Sequence, residues 1–412
     1  MDLKEAKAIA MGLAKELDRE PVEIGLALGR VVAEPISASR DIPGNARSRW
    51  DGFALTSGDC ESAEPQKPVI LKIARGETTA GKKPGKASKG WCFRIMTGGV
   101  TPAGTNAVIP FEDAALSDEG LILTGRVAPG SGVIAPGSEA RRDEILLEKG
   151  DVLTPTRLAL AAATGREVLC VFRRPRVAIL ATGDELREMG RSDEPASIFC
   201  NNTHLFANLV RAGGAEPVEL GVAPDDPGVI LSRLEKADAD LVITTGGMGK
   251  GSRDFIPEVW KRLGLTTHFD RLNLVPGKGS ALATGNGQIF LGFPGNPRAG
   301  RIVYEEIAAP VIRAFMGLRA HGDFTLDARS LGRMTKKEGF YQAFEGVLEI
   351  RGRFCSFTPN RAGREHRNKI SFLRSDLAYA LLEPHDTNII KGKTVHVKIP
   401  DFPLITWAIL NS

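Results

Sequence analysis

The sequence has few cysteines, and none is placed for a disulfide framework or a zinc site. Only five occur in 412 residues, no two form a C-x-x-C pair, and the six histidines make no H-E-x-x-H motif. An odd number of isolated cysteines is typical of a reduced protein. We therefore expect no disulfide scaffold and no zinc knuckle, and we expect the cysteines to pack as small apolar side chains.

Long apolar runs and a strong charge imbalance are also missing. No stretch of about 18 apolar residues occurs, which argues against a membrane span. The first residues form an amphipathic helical pattern and lack the basic start and apolar core of a signal peptide. A net charge of +4 does not predict binding to nucleic acid or to a membrane. We therefore expect a cytoplasmic protein.

The length and composition are those of a multidomain globular protein. Residues that are hydrophobic make up 42% of the chain and charged residues 25%, as in ordinary globular proteins. The 46 glycines and 25 prolines are dispersed, which favours many turns over disorder. A chain of 412 residues exceeds one ordinary core, so two to four domains are expected.

Strands and helices alternate regularly between residues 173 and 318. This alternation predicts a doubly wound α/β domain with a mostly parallel sheet. Asp225 or Asp226 is placed to cap one of the helices, because an aspartate side chain accepts from free backbone N–H groups. The predicted strands are 176–182, 217–221, 241–244, 281–284 and 288–291, and the predicted helices are 202–212, 229–236, 255–263 and 301–315.

The rest of the chain predicts three further domains, so that the fold class is multidomain α/β plus β. Residues 1–40 and 128–172 predict an elongated N-terminal helical and mixed domain, with helices at 3–17, 24–29 and 156–165. Residues 41–127 predict a small inserted β domain with strands at 69–73, 91–95, 107–110 and 121–123. Residues 319–412 predict a C-terminal β-barrel with strands at 342–350, 354–357 and 394–399.

Glycine-rich loops follow three of the predicted α/β strands, at residues 182–186, 244–254 and 293–298. Ligands of doubly wound sheets bind beyond the carboxyl ends of the strands. Glycine turns and helix N-termini let backbone N–H groups approach phosphate oxygens. The carboxylates in these loops would repel a bare phosphate but suit a Mg²⁺ ion that holds one. The loops therefore predict a phosphorylated or nucleotide-linked ligand with a divalent metal.

Motifs of other nucleotide-binding and hydrolytic enzymes are missing. Gly249-Lys250 and Gly277-Lys278 are each followed by glycine, so no G-x-x-x-x-G-K-[ST] loop exists. The loop 246–251 does not fit G-x-G-x-x-G, and no G-x-S-x-G elbow occurs. These absences argue against a standard ATPase, a dinucleotide dehydrogenase and a serine hydrolase.

Six or more short motifs, in order along the chain, resemble the MoeA family, which includes the E domain of gephyrin. One motif of five common residues would be weak, but the ordered series makes coincidence improbable. The motifs are Trp50-Asp51-Gly52-Phe53-Ala54, Ile95-Met96-Thr97-Gly98 with Asn106-Ala107-Val108, Gly137-Ser138-Glu139, Thr182-Gly183-Asp184-Glu185-Leu186, Thr245-Gly246-Gly247 with Asp254, and Pro294-Gly295-Asn296-Pro297.

The resemblance implies a function in molybdenum cofactor biosynthesis. Molybdate would be inserted into adenylylated molybdopterin, with Mg²⁺ as cofactor and release of AMP. The resemblance further implies a homodimer whose site lies between the α/β domain of one subunit and the inserted β domain of the other. Docking with molybdoenzymes or with a molybdopterin adenylyltransferase is a further implied partner interaction.

Matching positions supply the candidate site residues. The resemblance implies that Glu185 and Asp254 hold Mg²⁺ and that Lys278 neutralises phosphate or molybdate oxygens. Asp51 and Thr97 would act from the partner subunit, and these five are the catalytic candidates. The candidates for binding the pterin nucleotide are Gly183, Asp184, Asp226, Thr245, Gly246, Gly247, Pro294, Gly295, Asn296 and Pro297.

The sequence departs from the family pattern at several positions, and these departures leave alternatives open. Val275 stands where the family carries a lysine, Cys200 replaces an aspartate, and Arg47 and Arg49 are additional. The alternatives are a non-catalytic protein that binds and delivers the pterin cofactor, and a paralogue specific for tungstate. Asp226 is explained equally by helix capping.

A segment near the C-terminus is rich in cations. It reads either as a solvated face or as an anion-binding edge of the C-terminal domain. The residues are Arg361, Arg364, His366, Arg367, Lys369 and Arg374.

Overall fold

The computed structural model describes residues 1–81, 85–190, 197–249, 251, 253–318, 325–360 and 378–399. The chain forms two compact units. The first comprises Met1–Glu34, Glu148–Ala159 and Glu167–Ser412, and the second comprises Pro35–Leu147 and Leu160–Arg166. The finer division into four domains stays a prediction. The basic residues of the segment 361–374 and Lys250 lie outside the described residues.

A six-stranded sheet forms the centre of the first unit. The first four strands run parallel to their neighbours, whereas the last two are antiparallel, so the sheet is mixed at one edge. In spatial order the strands are Glu216–Ala223, Arg176–Thr182, Leu241–Thr245, Gln288–Phe293, Ala281–Gly285 and Thr266–Phe269. The predicted parallel core is therefore confirmed, and the antiparallel edge and its strand Thr266–Phe269 are additions that the sequence pattern did not indicate.

The antiparallel edge arises from a two-residue hairpin. Asn286 and Gly287 connect the strands Ala281–Gly285 and Gln288–Phe293, with φ of 52° and 78°. Positive φ at both turn residues is the requirement of the tight hairpin turn that suits twisted strands, and Asn-Gly is the preferred pair. The short connection therefore forces the two strands to be antiparallel.

Both faces of this sheet are covered by helices. On one face Phe206 and Val210 of the helix Asn202–Ala212 pack into a core with strand residues such as Ile179. On the other face Trp260 packs beside Phe290 of the sheet. The helices on that face are Pro227–Glu235 and Ile256–Arg262. The doubly wound arrangement is confirmed.

The predicted long helix 301–315 is interrupted. The structure has an α-helix over Pro297–Val303, a π-helical turn over Tyr304–Ala308 and an α-helix over Ala309–Phe315. Pro310 has no N–H group to donate to the carbonyl one turn before it, which breaks the regular ladder. The predicted start was also wrong, because the helix begins four residues earlier at Pro297, where proline is favoured in the first turn.

The N-terminal part of the first unit contains a helix and a strand pair. The helix Leu3–Leu13 is capped by Asp2 and ends four residues before the predicted end, because Ala14 is extended. The predicted second helix is only a 3₁₀ turn over Ile24–Leu26. Strand Arg19–Glu23 pairs antiparallel with Val168–Phe172. The helix Pro155–Ala163 precedes this second strand.

A closed barrel forms the C-terminal part of the first unit. Five strands pair in a ring, because the longest of them, Tyr341–Arg351, bonds to the strands at both ends of the series. The order is Tyr341–Arg351, Phe354–Pro359, Thr325–Ser330, Thr394–Lys398 and Ala378–Leu382. Short strands Leu274–Val275, Met334–Thr335 and Asn388–Ile389 flank it. The predicted β-barrel is confirmed.

The second unit is built on its own six-stranded sheet. Its core includes Phe53, Leu71 and Cys92, all almost fully buried. Burial raises the pKa of the Cys92 thiol to about 11, in line with the predicted apolar role of the cysteines. The strand order is Ala107–Pro110, Gly52–Leu55, Trp91–Ile95, Val69–Thr78, Gly120–Leu123 and Ala115–Ser117, with short ladders of Arg47–Ser48 on Val133–Ile134 and Ile36–Ser37 on Ile145–Leu147.

Among the described residues, no helix combines the length and apolar character needed to cross a membrane.

Candidate functional site

Three loops that are remote in the sequence meet at one edge of the α/β sheet. The strands Arg176–Thr182, Leu241–Thr245 and Gln288–Phe293 are parallel, so their carboxyl ends lie side by side. The loops that follow line a cleft of about 540 Å³, which is a volume typical of ligand sites. Among the lining residues are Gly183, Glu185, Thr245, Gly246, Gly247, Asp254, Gly295, Asn296 and Pro297, all predicted from the sequence.

Hydrogen bonds hold these loops against each other. The Gly246 N–H donates to the Phe293 carbonyl over 3.1 Å. Asn202 lies at the start of a helix, and its Nδ2 donates to the Gly295 carbonyl at 2.9 Å and to Thr245 Oγ1 at 3.3 Å. A single buried amide therefore connects the loops after two strands. This connection fixes the floor of the cleft.

Two positions in the second loop need glycine for reasons the structure makes explicit. Gly246 and Gly247 have φ of 90° and 63°. A Cβ atom at Gly246 would lie 2.5 Å from the Thr182 carbonyl oxygen. The glycine pair therefore lets the second loop pack directly on the first, and its backbone lies close enough to the cleft for N–H groups to approach a ligand.

Three carboxylates are also part of the cleft lining. Glu185, Asp225 and Asp254 all line it. Burial raises the pKa of the Asp225 carboxyl above its ordinary value, and the negative charges of Asp184 and Glu185 act in the same direction. Hydrogen bonding from the Asp184 N–H and the charge of Arg253 oppose the rise in pKa. The group thus forms a region of excess negative charge that a cation would stabilise.

Asp184 forms hydrogen bonds with two residues of the cleft lining, Asp225 and Arg253. The Asp225 N–H donates to Asp184 Oδ1 at 3.0 Å, which ties the loop after the first strand to the loop after Glu216–Ala223. Arg253 Nη1 donates to Asp184 Oδ2 at 3.1 Å. Asp184, which we predicted to bind ligand, is thereby engaged by protein groups and does not itself line the cleft.

The backbone of the glycine loop orients Asp254. The Gly251 N–H donates to Asp254 Oδ2 at 2.7 Å. A Cβ atom at Gly249 would lie 2.5 Å from the same oxygen, so a side chain there would push the carboxylate away. Glycine in this loop therefore fixes the position of the Asp254 carboxylate, in addition to leaving the backbone open to a bound phosphate.

The carboxylate oxygens of the cleft suit a hard divalent cation that is also coordinated by oxygens of a bound substrate. Carboxylate oxygens are the groups that Mg²⁺ prefers, and Glu185 and Asp254 share one cleft. In the described part of the chain, no group of three or more His, Cys, Asp or Glu side chains is close enough to hold a metal by itself. Mg²⁺ commonly keeps waters and uses substrate phosphates, so two carboxylates suffice only when a ligand completes the shell.

The second unit contains the Asp51 and Thr97 pair that we predicted. Asp51 Oδ1 accepts from the Thr97 N–H at 2.6 Å and from Thr97 Oγ1 at 2.7 Å. The backbone hydrogen bond and then the hydroxyl hydrogen bond hold the pKa of the Asp51 carboxyl below its ordinary value. The structure therefore brings these two residues together as an ionised carboxylate with a fixed orientation.

Besides Asp184, three predicted residues of the first unit lie apart from the cleft lining. The exposed Lys278 has its ammonium 5.3 Å from the centre of the Phe340 ring. Asp226 accepts from the Val229 N–H at 2.8 Å and caps the helix that follows, as the capping alternative proposed. Pro294 precedes the lining residues of its loop. Their roles in ligand binding stay predictions.

Sequence reasoning did not assign Asp225, Arg253 or Asn202 to the site. Asp225 was considered only as a helix cap, although its place directly after a parallel strand was a usable signal. Asn202 was placed correctly at the start of its helix. Its bond to the Gly295 carbonyl spans 93 residues, which no local pattern indicates.

Comparisons with known families match the N-terminal part of the chain and its α/β domain. The MoeA N-terminal region (domain I and II) matches residues 1–165, and the probable molybdopterin binding domain matches residues 178–314. A molybdopterin molybdenumtransferase of Bacillus subtilis is 31% identical over 390 residues, covering 93% of this chain and 90% of that protein. This chain belongs to the MoeA family.

Other related proteins match this chain over most of its length. A molybdopterin molybdenumtransferase of a Nostoc species is 30% identical over 404 residues, which cover 93% of this chain and 89% of that protein. The crystal structure of a molybdopterin biosynthesis MoeA protein from Pyrococcus horikosii superposes with a TM-score of 0.87 at 26% identity, covering 97% and 98% of the two chains. The MoeA assignment made from motifs is therefore confirmed.

Proposed function

We propose that this protein is a molybdopterin molybdenumtransferase, which inserts molybdate into adenylylated molybdopterin and releases AMP during molybdenum cofactor biosynthesis. Family membership supports the reaction. The observation that carries the proposal is the cleft itself, where glycine loops and carboxylates from separate parts of the chain converge. An anionic nucleotide and a divalent cation are the ligands for which this combination of N–H donors and oxygen ligands is suited.

Each side of the cleft would act on a different part of the substrate. The Gly247 N–H and the Thr245 hydroxyl would bind phosphate oxygens, whereas the Gly246 N–H donates to the Phe293 carbonyl and holds the loop in place. Glu185 and Asp254 would hold Mg²⁺, which supplies positive charge where the leaving phosphate develops negative charge. The Gly295–Pro297 segment would bound the pterin side of the pocket. Asp225, which also lines the cleft, would add negative charge and increase the attraction for the cation.

We further propose a homodimer in which Asp51 and Thr97 complete the site of the partner subunit. The support is the family resemblance together with the paired geometry of these residues, which keeps Asp51 ionised and oriented. Lys278 would contribute positive charge from the margin of the site. Docking of a molybdoenzyme or a molybdopterin adenylyltransferase, for transfer of the labile cofactor, belongs to the same proposal.

Restoration of a molybdoenzyme in cells that lack their own insertase tests the function. Expression of the wild-type chain should restore activity of the reporter enzyme, whereas Asp254→Asn at the same protein level should not. Failure of the wild-type chain to restore activity, in spite of soluble expression, would count against the proposal. The pterin-delivery alternative predicts that failure, and the names of the relatives do not favour it.

A further inference from the structure

A buried ion pair connects the third cleft loop to the C-terminal barrel. Arg298 directly follows Pro297, which lines the cleft. Its Nε donates to Glu345 Oε2 in the barrel strand Tyr341–Arg351. The Glu345 side chain is only 3% exposed, and that of Arg298 is 22% exposed. The contact therefore joins two parts of the first unit through a fully buried carboxylate and a largely buried guanidinium.

Two other contacts leave the loop little freedom once this pair is formed. Asn296 caps the helix by accepting from the Arg298 N–H at 3.0 Å. Asn202 Nδ2, at the start of the helix Asn202–Ala212, donates to the Gly295 carbonyl at 2.9 Å. Because Arg298 is held through its backbone on one side and through its side chain on the other, the direction of the helix start depends on Glu345.

A contribution to stability does not by itself account for this buried ion pair. Removing a carboxylate from water costs several kcal/mol before pairing, and apolar replacements of buried ion pairs are often neutral or stabilising. Burial raises the pKa of the Glu345 carboxyl in spite of the charges of Arg298 and, one turn along the helix, Arg301. A directional contact of this kind fits a role in setting position.

We propose that Glu345, acting through Arg298, is a positioning residue that fixes the Gly295–Pro297 segment in the cleft. The barrel would thereby control how well the cleft binds its ligand, although no barrel residue in the described ranges lines the cleft. The activity readout below rests on the proposed function, whereas the exchange readout does not.

Glu345→Gln tests the proposal, because it keeps the shape of the side chain and removes the charge. The matched control is Tyr379→Phe, which removes the 2.6 Å hydrogen bond from Tyr379 to the buried Glu306. That bond joins the same helical segment to the same barrel, away from the cleft loop. Both variants should therefore lower the melting temperature to a similar extent.

Hydrogen exchange of the protein without ligand gives the first readout. Glu345→Gln should speed exchange of amides in residues 293–300 by about fivefold or more, while Tyr379→Phe leaves that segment unchanged at an equal loss of melting temperature. Equal exchange in the two variants would overturn the proposal. So would unchanged exchange of residues 293–300 in Glu345→Gln.

Kinetics give the second readout. Glu345→Gln should raise the KM for the pterin nucleotide about tenfold with kcat within about twofold, since misplacement of a binding segment weakens the bound state. Arg298→Met should do the same, and the double variant should be no worse than either single variant. Additive effects would contradict the proposal. Absence of AMP release by the wild-type protein would instead reject the function, and the exchange result would still decide this proposal.

Discussion

The surroundings of Asp225 in the cleft destabilise its ionised form. Burial is the main cause of its raised pKa, and the negative charges of Asp184 and Glu185 add to the effect. For an acid whose pKa is higher in the folded state, ionisation destabilises the fold. The penalty is absent below the unfolded pKa of about 3.9 and complete above the raised folded value.

Asp225→Asn should therefore stabilise the protein in the absence of ligand and divalent cation. The expected gain in unfolding free energy at pH 7 is up to about 1 kcal/mol, because the group is partly solvated. The gain should shrink as the pH falls through the raised folded pKa of Asp225 and vanish below the unfolded value of about 3.9. Urea unfolding at the two pH values measures it. A variant that is less stable than wild type at pH 7 would contradict the charge argument.

Asp254 should matter for turnover rather than for folding. Asp254→Asn preserves an oxygen that can accept from the Gly251 N–H, but it removes the negative charge beside Glu185. We expect AMP release to fall by about a hundredfold or more, with a melting temperature within about two degrees of wild type. Asp59→Asn is the matched control, because the half-buried Asp59 carboxylate of the second unit likewise accepts from a backbone N–H, that of Gly90. Full activity of Asp254→Asn would remove this residue from the site.

At the scale of secondary structure, we expect the glycine loop after Leu241–Thr245 to be sensitive to an added side chain. Gly246→Ala introduces strain at φ 90° and a collision with the Thr182 carbonyl. The expected loss of stability is about 1–3 kcal/mol, with loss of activity. Gly287→Ala is the matched control, because its φ of 78° is similar but no atom lies within 4 Å of the added Cβ. It should cost about 1 kcal/mol and leave activity intact. Equal effects of the two changes would show that collision is unimportant.

Two substitutions of Asp226 distinguish a role in capping the following helix from a role in ligand binding. Asp226→Ala should cost about 1 kcal/mol, and Asp226→Ser should recover most of that loss, because serine also caps. Activity that returns with serine assigns Asp226 to capping alone. Activity that stays low in the folded serine variant assigns its carboxylate to the ligand. Thermal unfolding and AMP release together make the distinction.

The sequence predicted these elements where local physics decides them. The buried strand Arg176–Thr182 and the helix Asn202–Ala212 were located to the residue, because apolar runs and helical spacing are local signals. The antiparallel strand Thr266–Phe269 was missed, since its alternation is weak. The interruption at Tyr304–Ala308 was also missed, although Pro310 was a usable signal.

For the site, the sequence located the loops but not how they contact one another. Parallel strands imply that loops after Thr182, Thr245 and Phe293 share an edge, and they do. The hydrogen bond from the Asn202 amide to the Gly295 carbonyl and the one from the Asp225 N–H to Asp184 each join segments that are distant in the sequence. Such contacts carry no periodic signal, so only the folded chain reveals them.

At the scale of the whole molecule, the proposed shared site predicts complementation between subunits. Asp51→Asn and Asp254→Asn should each abolish activity alone. When both are coexpressed with different tags, each mixed dimer should contain one intact site of two, so it should have about half of wild-type activity. Purified mixed dimers are assayed directly. No activity in mixed dimers would show that both residues must come from the same chain, against the proposed arrangement.

Release of AMP is the most direct measurement of the central claim, that the cleft at the sheet edge is the active site of a molybdenumtransferase. Purified protein is incubated with adenylylated molybdopterin and Mg²⁺, with and without molybdate. The account predicts catalytic release of AMP that requires molybdate and is lost in Glu185→Gln and Asp254→Asn. Tight binding of the pterin nucleotide without molybdate-dependent AMP release, or release that both variants retain, would contradict it.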